Sequence, residues 1–304
     1  MTNFKGFASL VLAAATVSTL SAETRCPGNV ASVPFQIVNR RQIILAVSVN
    51  HSVPFRFLLD TGAQKTIIDA SLAAELHLQT QDNATVAGVG YRGSASLAQV
   101  DQLQAGSHVV ANQLVLIYDL QNVISEDLPI RGILGEDFLE QFDMLIDNAH
   151  SVLCLDDSAA MSAKVKGTHV ALVTLAQPTN NTSVPSPLVV AARISDGKRP
   201  LRLELDSGAN LSILYDVRDY MDLGLLSLAA SRGKRVDGAE KSYSTLPLQE
   251  VKIGSLDLPE VTFVTRRGSE RNPHMAELDG LLMMGLFRRV FVDHTNHFAV
   301  LEPW

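Results

Sequence analysis

The chain has 304 residues, 46% of them hydrophobic and 19% charged, with a formal net charge of −7. This is a globular composition, long enough to bury two cores. No basic block and no interleaving of aromatic with basic residues occurs, so nucleic acid is not expected as a partner.

In chain order, Lys5 precedes an Ala-rich apolar run from Phe7 to Leu20, and the small residues Ser21 and Ala22 precede the polar Glu23-Thr24-Arg25. This pattern predicts a secretory signal peptide over 1–22, cleaved after Ala22 or Ser21. The competing reading is an uncleaved anchor, although the run is short for a stable span. No other segment approaches transmembrane length. The expected product is exported, periplasmic or secreted, with no stable membrane span after cleavage. Cys26 and Cys154 are the only cysteines. Export makes a disulfide chemically possible, and two isolated thiols fit the sequence equally well.

Ile43–Asn50 and Phe55–Leu59 read as a hairpin around Asn50-His51-Ser52, because β-branched and aromatic residues with short periods favour strands. The second strand runs into Asp60-Thr61-Gly62-Ala63. A short helix is expected at Ser71–Leu78, with Asp69 or Ser71 as its cap. Gly88-Val89-Gly90-Tyr91-Arg92-Gly93 matches the spacing of a dinucleotide fingerprint, but no helix start follows it and the strand–helix–strand unit is missing. A hairpin tip is expected there instead. The first half closes on Gly132-Ile133-Leu134-Gly135, Phe138–Phe142, Met144–Asp147, a turn at Asn148-Ala149-His150, and Val152–Leu155.

After the polar stretches 156–167 and 177–187 the pattern recurs. Leu188–Ile194 and Leu201–Leu205 form a second hairpin that runs into Asp206-Ser207-Gly208-Ala209. A turn at Asp237-Gly238 follows. The second half closes on Gly280–Gly285, Phe291-Val292-Asp293, a turn at His294-Thr295-Asn296, and Phe298–Leu301. His294 and His297 lie beside Asp293, but a metal site needs a third ligand and a rigid element. They read as turn residues.

The recurrence is in register. Pro54, Arg56, Asp60, Thr61, Gly62 and Ala63 are each followed 146 positions later by Pro200, Arg202, Asp206, Ser207, Gly208 and Ala209. Thr66-Ile67-Ile68 likewise matches Ser212-Ile213-Leu214. One Asp-(Thr/Ser)-Gly loop written twice can bring two carboxylates together across a pseudo-twofold axis. Two carboxylates in contact cannot both ionise cheaply, so they share a proton.

These residues resemble the aspartic peptidases of the pepsin and retropepsin type, in particular the bacterial retropepsin-like proteases. The resemblance rests on the two Asp loops and on a later hydrophobic-hydrophobic-Gly, here Ile133-Leu134-Gly135, 75 positions after Asp60, and Met283-Met284-Gly285, with its glycine 79 after Asp206. It covers about residues 35–304. It implies an all-β fold of two pseudo-symmetric acid-protease β-barrel lobes with a cleft between them, an N-terminal lobe over 23–160 and a C-terminal lobe over 161–304. It implies aspartic endopeptidase activity, with Asp60 and Asp206 activating a water and needing no cofactor and no metal. Thr61 and Ser207 would lock the two loops together, and Gly62 and Gly208 would allow the tight turn and a close backbone approach. Gly90 and Tyr91 fall where the family places its substrate-covering flap. The implied partner is a peptide or protein substrate, and the implied state is a monomer. One departure concerns the second lobe: if Gly280 aligns with Gly132, then Met283 replaces the glycine. The alternative function is an inactive, peptide-binding homologue of the same fold.

Overall fold

A computed structural model of the protein describes residues 26–39, 41–88, 91–120, 129–175, 185–195, 197–215, 217, 229–234, 240–265 and 277–304, with only the backbone of 82–88, 91–92, 229–234 and 240–242. The expected signal peptide and Gly90 lie outside these residues, as does the side chain of Tyr91.

The first lobe contains β1 (Ser32–Val38), β2 (Gln42–Val49), β3 (Phe55–Leu59), β4 (Ile67–Asp69), α1 (Ala70–Glu75), β5 (Thr80–Gly88), β6 (Tyr91–Ala105), β7 (His108–Tyr118), β8 (Gly132–Leu134), α2 (Glu136–Leu139), β9 (Asp143–Asp147) and β10 (Val152–Asp156). Helix α1 is capped by Asp69, whose Oδ1 accepts the Ser71 amide at 2.9 Å. It ends earlier than Leu78, the expected limit. His77 takes a left-handed φ of 54°, and the Leu78 amide turns back to the Ala73 carbonyl at 2.9 Å. That geometry terminates a helix.

The second lobe contains β11 (His169–Ala171), β12 (Val189–Ile194), β13 (Leu201–Asp206), β14 (Ser212–Leu214), β15 (Ala229–Lys234), β16 (Glu240–Thr245), β17 (Gln249–Ile253), β18 (Leu256–Val261), β19 (Phe263–Thr265), β20 (Gly280–Met283), β21 (Phe287–Asp293) and β22 (Phe298–Pro303). Alternating burial along β12 and β17 puts one face of each strand into the core.

The repeat in sequence is a repeat in topology. In lobe one, β3 runs parallel to β8, β4 runs antiparallel to β8, and β4 runs parallel to β7. In lobe two, β13, β20, β14 and β19 make the same three pairings. Both lobes thereby bring the end of an Asp-bearing strand beside the end of a parallel strand. The hairpin β5–β6 is paired up to Gly88↔Tyr91. The hairpin β15–β16 is its counterpart in lobe two.

The closing hairpins of the two halves do not stay separate. β9 pairs antiparallel with β21, Ile146 opposite Val290 and Leu145 opposite Phe291. This joins β11, β22, β21, β9, β10 and β1 into one sheet drawn from both lobes. β9 is central in that sheet and buried along its whole length. Met144, Ile146, Val290 and Val292 face the main core. Leu145, Phe291 and Val300 face a smaller cluster that includes Cys26 and Cys154. Those two cysteines form a disulfide with a Cα–Cα distance of 5.7 Å across 128 positions. In the chain-entropy account a bridge over a loop of that order stabilises by about 4–5 kcal/mol.

Candidate active site

Each Asp loop is held from behind by the strand that runs parallel to its own. The Asp60 amide donates to the Leu134 carbonyl at 3.0 Å. The Gly135 amide donates to Thr66 Oγ1 at 3.1 Å, and the Thr66 hydroxyl and amide donate to Asp137 Oδ1 at 2.7 and 2.9 Å. Gly135 has no room for a side chain, since a Cβ there would lie 2.7 Å from the Ala63 carbonyl oxygen.

Lobe two settles which alignment applies. β13 and β20 pair Leu203 with Gly280 and Asp206 with Met283, whereas β3 and β8 pair Phe57 with Gly132. Gly280 therefore matches Gly132, and Met283 stands where Gly135 would be. The Met283 amide keeps the corresponding bond, to Ser212 Oγ at 3.2 Å. Its side chain is instead turned to Arg41, whose Nη1 lies 3.5 Å from the sulfur. Gly285 occupies the position of Asp137, so the acid that anchors Thr66 has no counterpart.

The two loops are locked to each other as well. The Thr61 amide donates to Ser207 Oγ at 3.0 Å, and the Ser207 amide donates to Thr61 Oγ1 at 3.0 Å. The Thr61 hydroxyl donates to the Leu205 carbonyl at 2.8 Å, and the Ser207 hydroxyl to the Leu59 carbonyl at 3.0 Å. Thr61 and Ser207 are buried. These four bonds satisfy both hydroxyls and both amides and obey the pseudo-twofold relation.

Above this lock the carboxyl groups of Asp60 and Asp206 lie side by side, each against the other loop's glycine, close enough to act on each other's ionisation. The Gly62 amide donates to Asp60 Oδ1 at 3.0 Å, and the Ala209 amide to Asp206 Oδ1 at 2.8 Å. Each glycine lies against the opposite carboxyl. A Cβ on Gly62 would come within 2.9 Å of Asp206 Cγ, and one on Gly208 within 2.4 Å of Asp60 Cγ. The glycines are needed here for close approach, the lock for relative placement.

Burial, then the charge of Asp206, pushes the Asp60 carboxyl well above the ordinary carboxylate range, against the pull of the Gly62 and Ala63 amides. Asp206 is also raised by burial, and it is drawn back by the amides of Ala209 and Gly208 and by Asp60. The repulsion is mutual, so the shared proton belongs to the pair. Each carboxyl thus resists ionisation beside the other.

A third acid lies behind the pair. Glu204 is 1% exposed, and its Oε1 has no hydrogen-bond partner among the described residues. Burial, then the charges of Asp206, Asp60 and Glu136, holds its carboxyl well above the ordinary range. The matching position in lobe one is Leu58, packed among Ile44, Ile67 and Ile133. Sequence pattern shows this only as a break, Leu-Glu-Leu-Asp against Phe-Leu-Leu-Asp. An unpaired buried carboxyl costs stability. Glu204→Leu is expected to stabilise the protein by about 1–3 kcal/mol. The folded state binds this proton more tightly than the unfolded chain, so the penalty and the gain from removing it both grow as pH rises above the ordinary glutamate range. Urea unfolding at pH 5 and pH 8 measures it, and a destabilised Glu204→Leu at pH 8 contradicts it.

Comparison with known proteins bears on the fold. Residues 45–138 match the model of a family described as Aspartyl protease, which covers the first Asp loop and its partner strand. No curated protein matches the chain. A solved retropepsin-like aspartic protease from Rickettsia conorii is 22% identical, over 41% of this chain and 90% of its own, with a TM-score of 0.31. The aspartic proteinase from Irpex lacteus is 12% identical, over 90% of this chain and 97% of its own, with a TM-score of 0.53. The fold is thus that of the two-lobed acid proteases. Within that class the match to the aspartyl protease family falls on the first lobe.

Proposed function

We propose that the protein is an exported aspartic endopeptidase whose catalytic residues are Asp60 and Asp206. The family match and the fold support a peptidase-type function. The observation that carries the finer reading is the placement of two carboxyl groups side by side on loops locked by Thr61 and Ser207.

The chemistry follows from one shared proton. A water between the carboxyls gives a proton to the ionised one as its oxygen attacks the scissile carbonyl carbon. The protonated carboxyl donates to the carbonyl oxygen as negative charge develops there. As the tetrahedral species breaks its C–N bond, one carboxyl passes its proton to the leaving nitrogen, and a hydroxyl of the tetrahedral carbon returns its proton to the other carboxylate. The products are one carboxylic acid and one amine, and the pair ends with a single proton. The hairpin β5–β6 would cover the substrate, with Gly90 and Tyr91 at its tip. One chain supplies both loops, so a monomer suffices. Export is supported by the signal-like N-terminus and by the Cys26–Cys154 disulfide, a bond that persists in oxidising compartments.

Met283 in place of the backing glycine, and the missing counterpart of Asp137, favour a second reading as an inactive, peptide-binding homologue. The two readings part on one experiment. The purified chain from residue 23 is incubated with a peptide library from pH 3 to pH 8, with and without pepstatin. Cleavage that pepstatin blocks is expected. Peptides retained without cleavage at any pH would establish the second reading.

A further inference from the structure

The turn at His294 reaches further than a turn needs to. His294 belongs to lobe two, at the end of β21, yet its partners lie in lobe one. Its Nδ1 donates to the Phe142 carbonyl at 2.6 Å, and its Nε2 lies 3.2 Å from Glu136 Oε2. Its amide donates to Asp143 Oδ1 at 3.2 Å. The side chains of His294 and Glu136 are 12% and 1% exposed.

Glu136 connects this contact to the Asp60 loop. Its amide donates to the Ala63 carbonyl at 2.8 Å. The amide of the same Ala63 donates to the Asp60 main-chain carbonyl at 3.2 Å. A path of contacts therefore runs from the second lobe's imidazole, through Glu136 and the Ala63 peptide, to the backbone of Asp60.

The pseudo-equivalent turn shows what the fold itself requires. Asn148 holds that position in lobe one, and its Nδ2 donates to the Phe287 carbonyl at 2.9 Å. A short amide side chain is enough for the cross-lobe bond to a carbonyl. The histidine adds a second nitrogen, and that nitrogen meets the acid. Lobe two has Met284 where lobe one has Glu136, so the arrangement serves only the Asp60 side.

We propose that His294 is a positioning residue for the Asp60 loop: as an imidazolium it clamps Glu136, and Glu136 holds the Ala63 peptide that faces Asp60. Only the effect on catalysis rests on the peptidase reading; the clamp does not.

The clamp has a pH window. The groups around it are Glu136, Asp137 and Glu140 at α2, Asp143 on β9, Glu204 on β13, Asp293 on β21, and Lys65, whose Nζ is 3.9 Å from Asp137. Acids dominate this set. Burial opposes charge on His294, but the bond to Glu136, its charge, the Phe142 carbonyl and Asp143 together hold the imidazole above the ordinary histidine value of 6.5. The hold is complete below that value and is lost as pH rises through the folded midpoint. Burial raises Glu136 as well, against the opposing bond and charge of His294, above its ordinary 4.5. Once Glu136 is protonated, it can still accept from the imidazolium but no longer pairs its charge, which bounds the window on the acid side.

Amide hydrogen exchange at Glu136, expressed as protection factors, reads the clamp without reference to activity. The imidazole Hε1 resonance of His294 is followed in the same samples. In the wild type the Glu136 protection is expected to fall at least tenfold between pH 6 and pH 9, with the midpoint of the His294 resonance and above 6.5. His294→Asn keeps the carbonyl bond, as Asn148 does, and is expected to show low protection with no step. Its kcat is expected to fall at pH 6 with KM little changed, and its profile to lose the limb that follows His294. A wild type without the step, or His294→Asn with the same step or the same pH–rate profile, overturns the proposal. If His294→Asn does not fold, a wild-type His294 midpoint at or below 6.5 overturns it. A wild type that shows the step but cleaves no peptide defeats the peptidase reading and leaves the clamp standing.

Discussion

Asp60→Asn and Asp206→Asn are each expected to lower kcat by roughly ten-thousand-fold or more with the fold intact, because groups that act as one unit fail together when either is removed. The amide is isosteric with the carboxyl but cannot ionise, and it cannot pass a proton from water to leaving nitrogen. The surrounding bonds tolerate it. Each Asp Oδ1 accepts one loop amide, and an amide oxygen can still do so. The double variant should be no worse than either single one. Relief of two crowded, half-buried acids should also leave both variants at least as stable as the wild type above pH 6. Rates on a cleaved peptide, with unfolding curves on the same preparations, check both parts. Near wild-type activity in either single variant contradicts a shared pair.

Separating the halves is expected to abolish activity altogether. Residues 23–157 and 168–304 each retain one Asp loop, so neither can form the pair. The structure adds a second reason. Cutting the chain splits the sheet between β9 and β21 and exposes two edges that the whole protein pairs along Arg289–Val292. It also removes the bonds of Asn148 to the second lobe, the four-bond lock of Thr61 and Ser207, and the Arg289–Asp147 ion pair at 3.3 Å. Each half alone should be inactive and prone to self-association, and mixing should restore part of the activity. Full activity from one purified, monomeric half contradicts the shared-site reading.

Much of this was legible in the sequence because the site is written twice in local code. The in-register spacing of Asp60 and Asp206 brought with it Thr61 and Ser207, both glycines and the strands leading in, and these elements took the expected form. The limits of legibility were non-local. Choosing between Met283 and Gly285 required the register of β13 against β20, and two glycines spaced five apart left it open. The shared sheet was hidden because a hairpin at Val152–Leu155 and another at Phe298–Leu301 look self-contained until the partner of β9 is known. Helix α1 stopped early because His77 adopts a left-handed φ, which no propensity of that residue announces. Glu204 and His294 were both visible as residues. Their meaning came from burial and from partners on the other lobe, which periodicity does not encode.

The central claim is that water, activated by Asp60 and Asp206 together, breaks a peptide bond without a covalent enzyme intermediate. Peptide hydrolysis in water enriched in oxygen-18, followed by mass spectrometry of the fragments, tests it most directly when wild type and Asp206→Asn are run in parallel. The expected result is one heavy oxygen in each newly formed carboxyl under single-turnover and multiple-turnover conditions, with no new fragments from Asp206→Asn. No fragments from the wild type at any pH, or equal cleavage by Asp206→Asn, would contradict the claim.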